Sequence, residues 1–317
     1  MSLDVSGLSA YTDQSSLTMH VAAQVKTKTA ALATKVPGVK YKFDLHLLAN
    51  TPTAQANSGC GFNASGTTAF TARTLTVSKF KYEDNICLRT LENYYTQAML
   101  TKGQDYASAS IPQVIMDTII VTTTAKYETY DWTGTVAGSA KYDGIHTVLN
   151  AESIGEANTL TYVGASALTS ITKANAISML DAVYNYISIN QPAILDQAGQ
   201  LVYCVPQSWY AKIVQAYVAA NYFSQTGQGN AGAQDMLPYY GDPRLKIMGT
   251  VGLEGIEKGY WFNTSNLFLG FDSEGEEAVP KIWFSQDNDT HRYTIKATRG
   301  WQVAFTSEVG QFACQNS

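Results

Sequence analysis

The residue types that do chemistry are sparse in this sequence and are not spaced to act together. Four histidines, His20, His46, His146 and His291, lie far apart, with no His-Glu-x-x-His pattern or other pair at ligand spacing. Four cysteines, Cys60, Cys87, Cys204 and Cys314, are scattered, with no Cys-x-x-Cys pair to hold zinc. Cys87 and Cys204 lie in apolar contexts and read as small buried hydrophobes. Cys60 sits in a Gly-rich stretch and Cys314 near the end of the chain, where exposure is expected, and a disulfide between copies is disfavoured in a reducing cytoplasm. No nucleophile elbow, phosphate loop or dinucleotide fingerprint occurs; Gly227-Gln-Gly229 lacks a strand–helix context and reads as loop. Two acidic clusters offer calcium ligands, Asp272, Glu274, Glu276 and Glu277, and then Asp287, Asn288 and Asp289. Neither has the spacing of a calcium loop, and the ordinary reading of each is a solvated turn. Asn63-Ala-Ser and Asn263-Thr-Ser match glycosylation acceptors, which a cytoplasmic chain does not use. Nucleophile, base and orienter do not come together, so neither an enzyme, nor a cofactor, nor a metal site is expected.

The composition points elsewhere. Charged residues make up 15% of the 317 positions, against about 25% in an average soluble domain, and 20 tyrosines help fill the gap. A surface poor in charge and rich in Tyr suits extensive contact with other protein. The net charge of −5 and the absence of any Lys/Arg run argue against a chain that grips nucleic acid. The start, Met1-Ser-Leu-Asp-Val, lacks the basic and apolar regions of a signal peptide, and no stretch is apolar for long enough to cross a membrane.

The elements that would carry such contacts follow from periodicity. Tyr41, Phe43, Leu45 and Leu47 alternate with Lys42, Asp44 and His46, which predicts a strand over 40–49. Residues 50–69 are polar and Gly-rich. Apolar residues resume at Phe70, Leu75 and Val77 and then at Phe80 and Tyr82, with a slip of parity near Ser78-Lys79 that predicts a bulge or bend. These strands form an extended hairpin, marginal by itself, that must lie on something. Thr90 to Leu100 predicts a short helix. Ser110-Ile-Pro112 opens another, with Val114, Ile115, Thr118, Ile119, Thr122, Ala125, Thr129 and Trp132 on one face. Its β-branched run Ile119 to Thr124 prefers strand locally, so the residues alone leave this segment open. Residues 150–171 read as a surface loop. Thr172 is placed as the cap of a helix with the stripe Ile177, Leu180, Tyr184 and Ile187, stopped at Gln191-Pro192. Leu201 to Val205 reads as a buried strand, and Ser208 as the cap of a helix carrying Trp209, Ile213, Ala216, Tyr217 and Ala220. Residues 224–236 read as a loop and Leu245 to Gly249 as a strand. Strands over Lys281 to Ser285 and Arg292 to Phe305 close the chain, the second with Tyr293, Ile295, Ala297, Trp301, Val303 and Phe305 on its buried parity. Residues 1–39 hold only one weak amphipathic turn, with Leu17, Val21 and Val25, and read as a leader.

The segment Asn266-Leu-Phe-Leu-Gly-Phe-Asp-Ser-Glu-Gly-Glu-Glu277, then Lys281-Ile-Trp-Phe284, a polar turn and the strand from Arg292 to Phe305, resembles the closing segment of a tailed-phage major capsid protein. Ile111-Pro-Gln-Val-Ile-Met-Asp117 leading into Tyr127 to Gly134 resembles that family's spine helix, and Gln200 to Ile213 its axial domain. The resemblance covers roughly residues 40–312. It implies an α+β chain of the Hong Kong 97-type phage capsid fold: an N-terminal arm (1–39), an extended hairpin with flanking strands (40–82), a peripheral domain (83–144 and 281–317) with the spine helix at 111–133, and an axial domain (145–280). It further implies hexamers and pentamers of an icosahedral head enclosing double-stranded DNA. Partners would be the chain itself and portal, scaffold and decoration proteins, with DNA loosely on the inner face and no membrane. The location would be the virion, after synthesis in the host cytoplasm. Because the chain starts at the arm, a separate scaffold protein or none is expected. Contacts between subunits are expected at Leu17, Val21 and Val25 in the arm, and at Tyr41, Phe43, Gly59, Cys60, Gly61, Phe70, Lys79 and Lys81 on or beside the hairpin. Deleting residues 1–36 should then spare folding and block assembly. An encapsulin-like shell, or another phage or surface structural protein, remains the alternative.

Overall fold

The computed structural model describes residues 28–55, 65–86, 111–151, 159–162, 171–196, 201–222, 236–272, 281–285 and 290–314. In chain order its elements are α1 (Lys28–Leu32), β1 (Thr34–Pro37), β2 (Lys42–Pro52), β3 (Gly66–Thr76), β4 (Ser78–Ile86), α2 (Ile111–Thr133), α3 (Ile145–Ala151) and β5 (Thr159–Tyr162). There follow α4 (Ala176–Asn190), α5 (Pro192–Asp196), β6 (Leu201–Pro206), α6 (Gln207–Ala219), β7 (Met236–Pro238), β8 (Lys246–Thr250), β9 (Lys258–Asn263), β10 (Leu267–Phe271), β11 (Lys281–Ser285), β12 (Thr290–Val303) and β13 (Val309–Cys314). The architecture is mixed α+β. The helix expected over Thr90 to Leu100, the loop over 224–235 and the two acidic turns lie outside the described residues, apart from Asp272.

Three sheets organise the body. β12 is the axis of the first. It pairs antiparallel with β4 along one edge and with β11 and then β10 along the other, and β1 adds in parallel beside β10. The second sheet runs β5-β13-β9-β6-β8-β7, and β2 and β3 form a separate two-stranded ribbon. Two short connections cross between the large sheets, from β9 to β10 and from β12 to β13. Asn266 pins the two crossings together: its Nδ2 donates to the Phe305 carbonyl at 2.8 Å, and its Oδ1 accepts the Phe305 N–H at 2.7 Å. The second sheet is covered on both faces, which is why its strands read as continuous apolar runs. Val202, Cys204, Tyr260 and Phe262 enter the core shared with α2, whereas Leu201, Tyr203, Val205 and Trp261 enter the core under α4 and α6.

Several local readings are corrected by tertiary context. The β-branched run Ile119 to Thr124 is helical, because α2 gains more from packing than the run loses in propensity. Among its described side chains Thr123, Tyr127, Asp131 and Trp132 are buried; of the expected stripe Trp132 is buried, whereas Thr122 and Ala125 are exposed. A buried acid at Asp131 disguised that stripe. In α4 the buried residues are Ala176, Met179, Leu180, Val183 and Ile187, so Ile177 and Tyr184 only flank the core. Thr172 is no cap; its N–H donates to Asn175 Oδ1 at 2.6 Å, and the helix begins after that turn. The stretch 150–171 is not all loop, since β5 pairs in parallel with β13. The slip near Ser78 is the point where the chain leaves the ribbon for the first sheet, with Val77 between β3 and β4.

Ser208 is also not the cap of α6. Pro206 holds that position, and the exposed first turn is satisfied from far away: the Ser208 N–H donates to Glu254 Oε1 at 2.6 Å. Glu254 thus serves as a remote acidic cap at the positive end of the helix. Glu254→Ala is expected to cost about 1 kcal/mol in urea unfolding. Glu254→Gln, which keeps the acceptor, should cost less than half of that. Equal losses would show that the side chain acts by another route.

Residues 28–39 are built into the body rather than free. Thr29, Ala30 and Leu32 are buried, and β1 is a strand of the first sheet. Glu128 of α2 accepts hydrogen bonds from the hydroxyls of Thr29 (2.7 Å) and Thr250 (2.7 Å), and the Trp132 indole donates to Thr29 Oγ1 at 2.8 Å. The segment is therefore part of the core, where periodicity alone reads a leader.

Candidate assembly surface

The β2–β3 ribbon pairs from Lys42↔Thr76 to Pro52↔Gly66, eleven residues on each strand. Cross-strand partners share a face. One face carries Phe43 with Leu75, Leu45 with Arg73, and Leu47 with Thr71. The other carries Asp44 with Thr74, His46 with Ala72, and Leu48 with Phe70. Only the base is anchored: Leu75 and Leu45 are buried, and Leu75 packs at Gly270 of β10. The base crosses β12 at Gly300, where any Cβ would collide with the Thr76 carbonyl oxygen. Gln302 fastens it there, donating from Nε2 to the Thr74 carbonyl at 3.0 Å and accepting from Arg73 Nη2 at 3.3 Å.

Beyond its base the ribbon has no second layer on either face among the described residues. Leu48 is 57% exposed and Phe70, directly opposite it, is 79% exposed. An isolated two-stranded ribbon is marginal in water, and an apolar cross-strand pair on it gains nothing until another surface covers it. Tyr41 and Phe43 are exposed at the ribbon's foot. Of the expected contact residues, Phe43 and Phe70 lie on the ribbon but on opposite faces, and Tyr41 stands just before β2 at its foot. Lys79 and Lys81 are exposed but belong to β4, not to the ribbon. Leu17, Val21, Val25, Gly59, Cys60 and Gly61 lie outside the described residues. Leu48 was missed. It falls on the parity of Lys42, Asp44 and His46, and the Leu47-Leu48 doublet, apolar on both parities, was the available signal.

Across β12 from the ribbon base lies a buried ionic knot. Asp131 at the end of α2 accepts from Arg299 Nε (2.7 Å) and Nη2 (2.5 Å), from the Trp301 indole (2.9 Å) and from the Tyr142 hydroxyl (3.0 Å). Arg299 and Asp131 are 3% and 0% exposed, so the pair is dry. The guanidinium lies over the rings of Tyr127 and Trp301. Burial opposes the Arg299 charge, but the Asp131 carboxylate outweighs it and holds the guanidinium's pKa above its ordinary value. The knot ties α2 to β12 on one side of the sheet while the ribbon base crosses β12 on the other.

His146 is partly buried, with Nδ1 against the Tyr260 hydroxyl and Nε2 accepting from Asn150 Nδ2 at 2.9 Å. Burial, and then the charge of Lys258, keep its pKa below the usual histidine value. Its hydrogen-bonding set is the Tyr260 hydroxyl and the Asn150 amide. No group of three or more potential metal ligands and no helix long and apolar enough to cross a membrane occur among the described residues. Cys204 is fully buried and its thiol is pushed up by burial.

No family model matches this sequence, and no curated protein is similar to it. Solved structures are similar in fold. A chain of the satellite phage P4 procapsid including size determination (Sid) protein is 12% identical with a TM-score of 0.57, over 94% of this chain and 90% of that one. A chain from Microbacterium phage Oxtober96 is 12% identical with a TM-score of 0.59, over 90% of each. A chain of the capsid of a native GTA particle is 11% identical with a TM-score of 0.58, over 92% of this chain and 96% of that one. With identity this low the likeness is one of backbone arrangement. The chain has the tailed-phage major capsid protein fold.

Proposed function

We propose that the chain is a structural, non-enzymatic major capsid protein of the Hong Kong 97 type that assembles into hexamers and pentamers of an icosahedral shell around double-stranded DNA. The observation that carries this reading is the ribbon: two eleven-residue strands, exposed on both faces beyond their base, on a fold shared with phage capsid structures. A free subunit gains nothing from such a ribbon, whereas a subunit in a shell covers it with its neighbour. In this reading residues 1–39 include the arm, 40–82 the hairpin, 83–144 and 281–317 the peripheral domain around α2, and 145–280 the axial domain. Two strands cross those ranges, β10 joining the sheet of β12 and β13 joining the sheet of β9. The product is a virion component made in the host cytoplasm, with portal, scaffold and decoration proteins as further partners and DNA loosely on the inner face.

Negative-stain electron microscopy of the purified protein over a concentration series tests this. Closed shells, or five- and six-membered rings, are the expected result, with DNA rather than protein inside shells recovered from cells. Fibres, tubes or a monomer that stays single even beside co-expressed neighbouring gene products would overturn it. The arm is tested separately by truncation. Removing residues 1–27 is expected to leave the melting temperature unchanged and abolish closed shells. Removing residues 1–36 takes Thr29, Ala30, Leu32 and β1 out of the core as well. That deletion should lower stability by roughly 3 kcal/mol or more.

A further inference from the structure

The side of the first sheet that meets the ribbon base gathers cations from segments far apart in sequence. Across β4 and β12, Lys81 stands opposite Lys296 and Lys79 opposite Thr298. Arg292 stands opposite Asn85 on one side and Trp283 on the other. Paired residues share a face, and even-numbered positions of β12 face the ribbon, as Gly300 and Gln302 show. Lys79, Lys81, Lys296 and Arg292 therefore form one basic face. Its lysines are exposed, as is Trp283. Glu83 is the acid among them, 2.7 Å from Lys81. The hydrogen bond from Lys81, with the charges of Lys81 and Lys296, holds its carboxyl below the usual range.

Lysines on β4 alone would be read as guards of an edge strand. That account does not cover Lys296 and Arg292, because β12 is hydrogen-bonded on both sides. Nor does the face suit nucleic acid best, since an acid, Glu83, stands among its lysines and no Lys/Arg run extends it. Four cations concentrated here leave the rest of the surface more acidic than the whole. We infer that this basic face, beside the ribbon, is a docking surface for the acidic surface of a second copy of this chain. The choice of partner rests on the shell reading; the charge arrangement stands without it. The contact is heterologous, so it propagates from copy to copy as a shell requires.

The test is sedimentation velocity of the full chain in salt from about 10 mM to about 1 M, over which the screening length falls from about 30 Å to about 3 Å. Three proteins are compared: wild type, the face variant Lys79→Gln/Lys81→Gln/Lys296→Gln, and a charge-matched control, Lys35→Gln/Lys40→Gln/Lys173→Gln, at exposed positions elsewhere. Wild type and control are expected to associate at low salt and separate at high salt. The face variant should associate about tenfold more weakly at low salt, the product of three lost exposed ion pairs. Melting curves establish that all three are folded. The inference is overturned if face variant and control behave alike, or if wild type does not associate more at low salt. It is equally overturned if a duplex DNA oligonucleotide binds through these same lysines. Salt-insensitive shells would remove the docking face and leave the shell reading intact, whereas salt-dependent pairing without shells would do the reverse.

Discussion

Replacing Arg299 with methionine is expected to destabilise the folded chain by about 3–5 kcal/mol in urea unfolding. The change keeps most of the side chain's bulk but leaves Asp131 charged, with no cation, in a dry core. Asp131→Leu should act in the same direction, because the guanidinium then lacks a counter-charge. The double variant Asp131→Leu/Arg299→Met separates pairing from position. With both charges gone, the remaining loss is two orphaned donors, the Trp301 indole and the Tyr142 hydroxyl, each worth about 1–3 kcal/mol. The double variant should therefore lose less than the two single changes added together, by about 4 kcal/mol at the middle of these ranges. Strictly additive losses would show that the pair is not coupled and that Arg299 serves the core only by its bulk.

The same pair shows how far the sequence could be read. Strand periodicity over residues 292–305 identified β12, and it placed Ile295, Ala297, Trp301 and Val303 on the buried side, where they are. It passed over Arg299, which sits on that apolar parity. A charged residue on a core-facing position implies a buried counter-charge, and an acid inside a helical stripe is the natural complement. Asp131 therefore displaced the apparent face of α2 just as Arg299 interrupted that of β12. Each is anomalous alone, and only the fold brings them together over a separation of 168 residues. Caps failed in a related way. Ser208 and Thr172 have the right residue type, yet Glu254 and an Asn175 turn do the work, because a distant carboxylate or a local turn satisfies a donor as well as a neighbouring hydroxyl does. The basic face was invisible for a similar reason: no Lys/Arg run exists, and the register between β4 and β12 assembles it. The ribbon was the most legible part, since alternation and a Gly-rich tip are local signals. The side that would meet a partner was not legible, because exposure on both faces looks the same in sequence as burial on one.

Placing aspartate at both Leu48 and Phe70 is expected to abolish assembly and leave the subunit's own stability within about 0.5 kcal/mol of wild type. Both side chains are exposed on the isolated chain, and neither touches its core, so their loss removes little from folding. In a shell each would be covered by a neighbour. Burying a Leu and a Phe contributes about 1.5–3 kcal/mol apiece, and an unpaired carboxylate in their place adds a further penalty. A loss of about 4 kcal/mol per contact corresponds to roughly a thousandfold weaker pairwise association, since 1.4 kcal/mol is about tenfold. Because every copy in the shell repeats the contact, the concentration needed for closed particles should rise beyond reach. Leu75→Asp supplies the contrast. Leu75 is 0% exposed at the ribbon base, so the same substitution there should unfold the subunit rather than merely disperse it. Melting curves and sedimentation read the two effects separately. Normal shells from the Leu48→Asp/Phe70→Asp chain would mean that the ribbon's apolar pair stays in water after assembly, and the neighbour contact would have to be sought on its opposite face, at Tyr41 and Phe43.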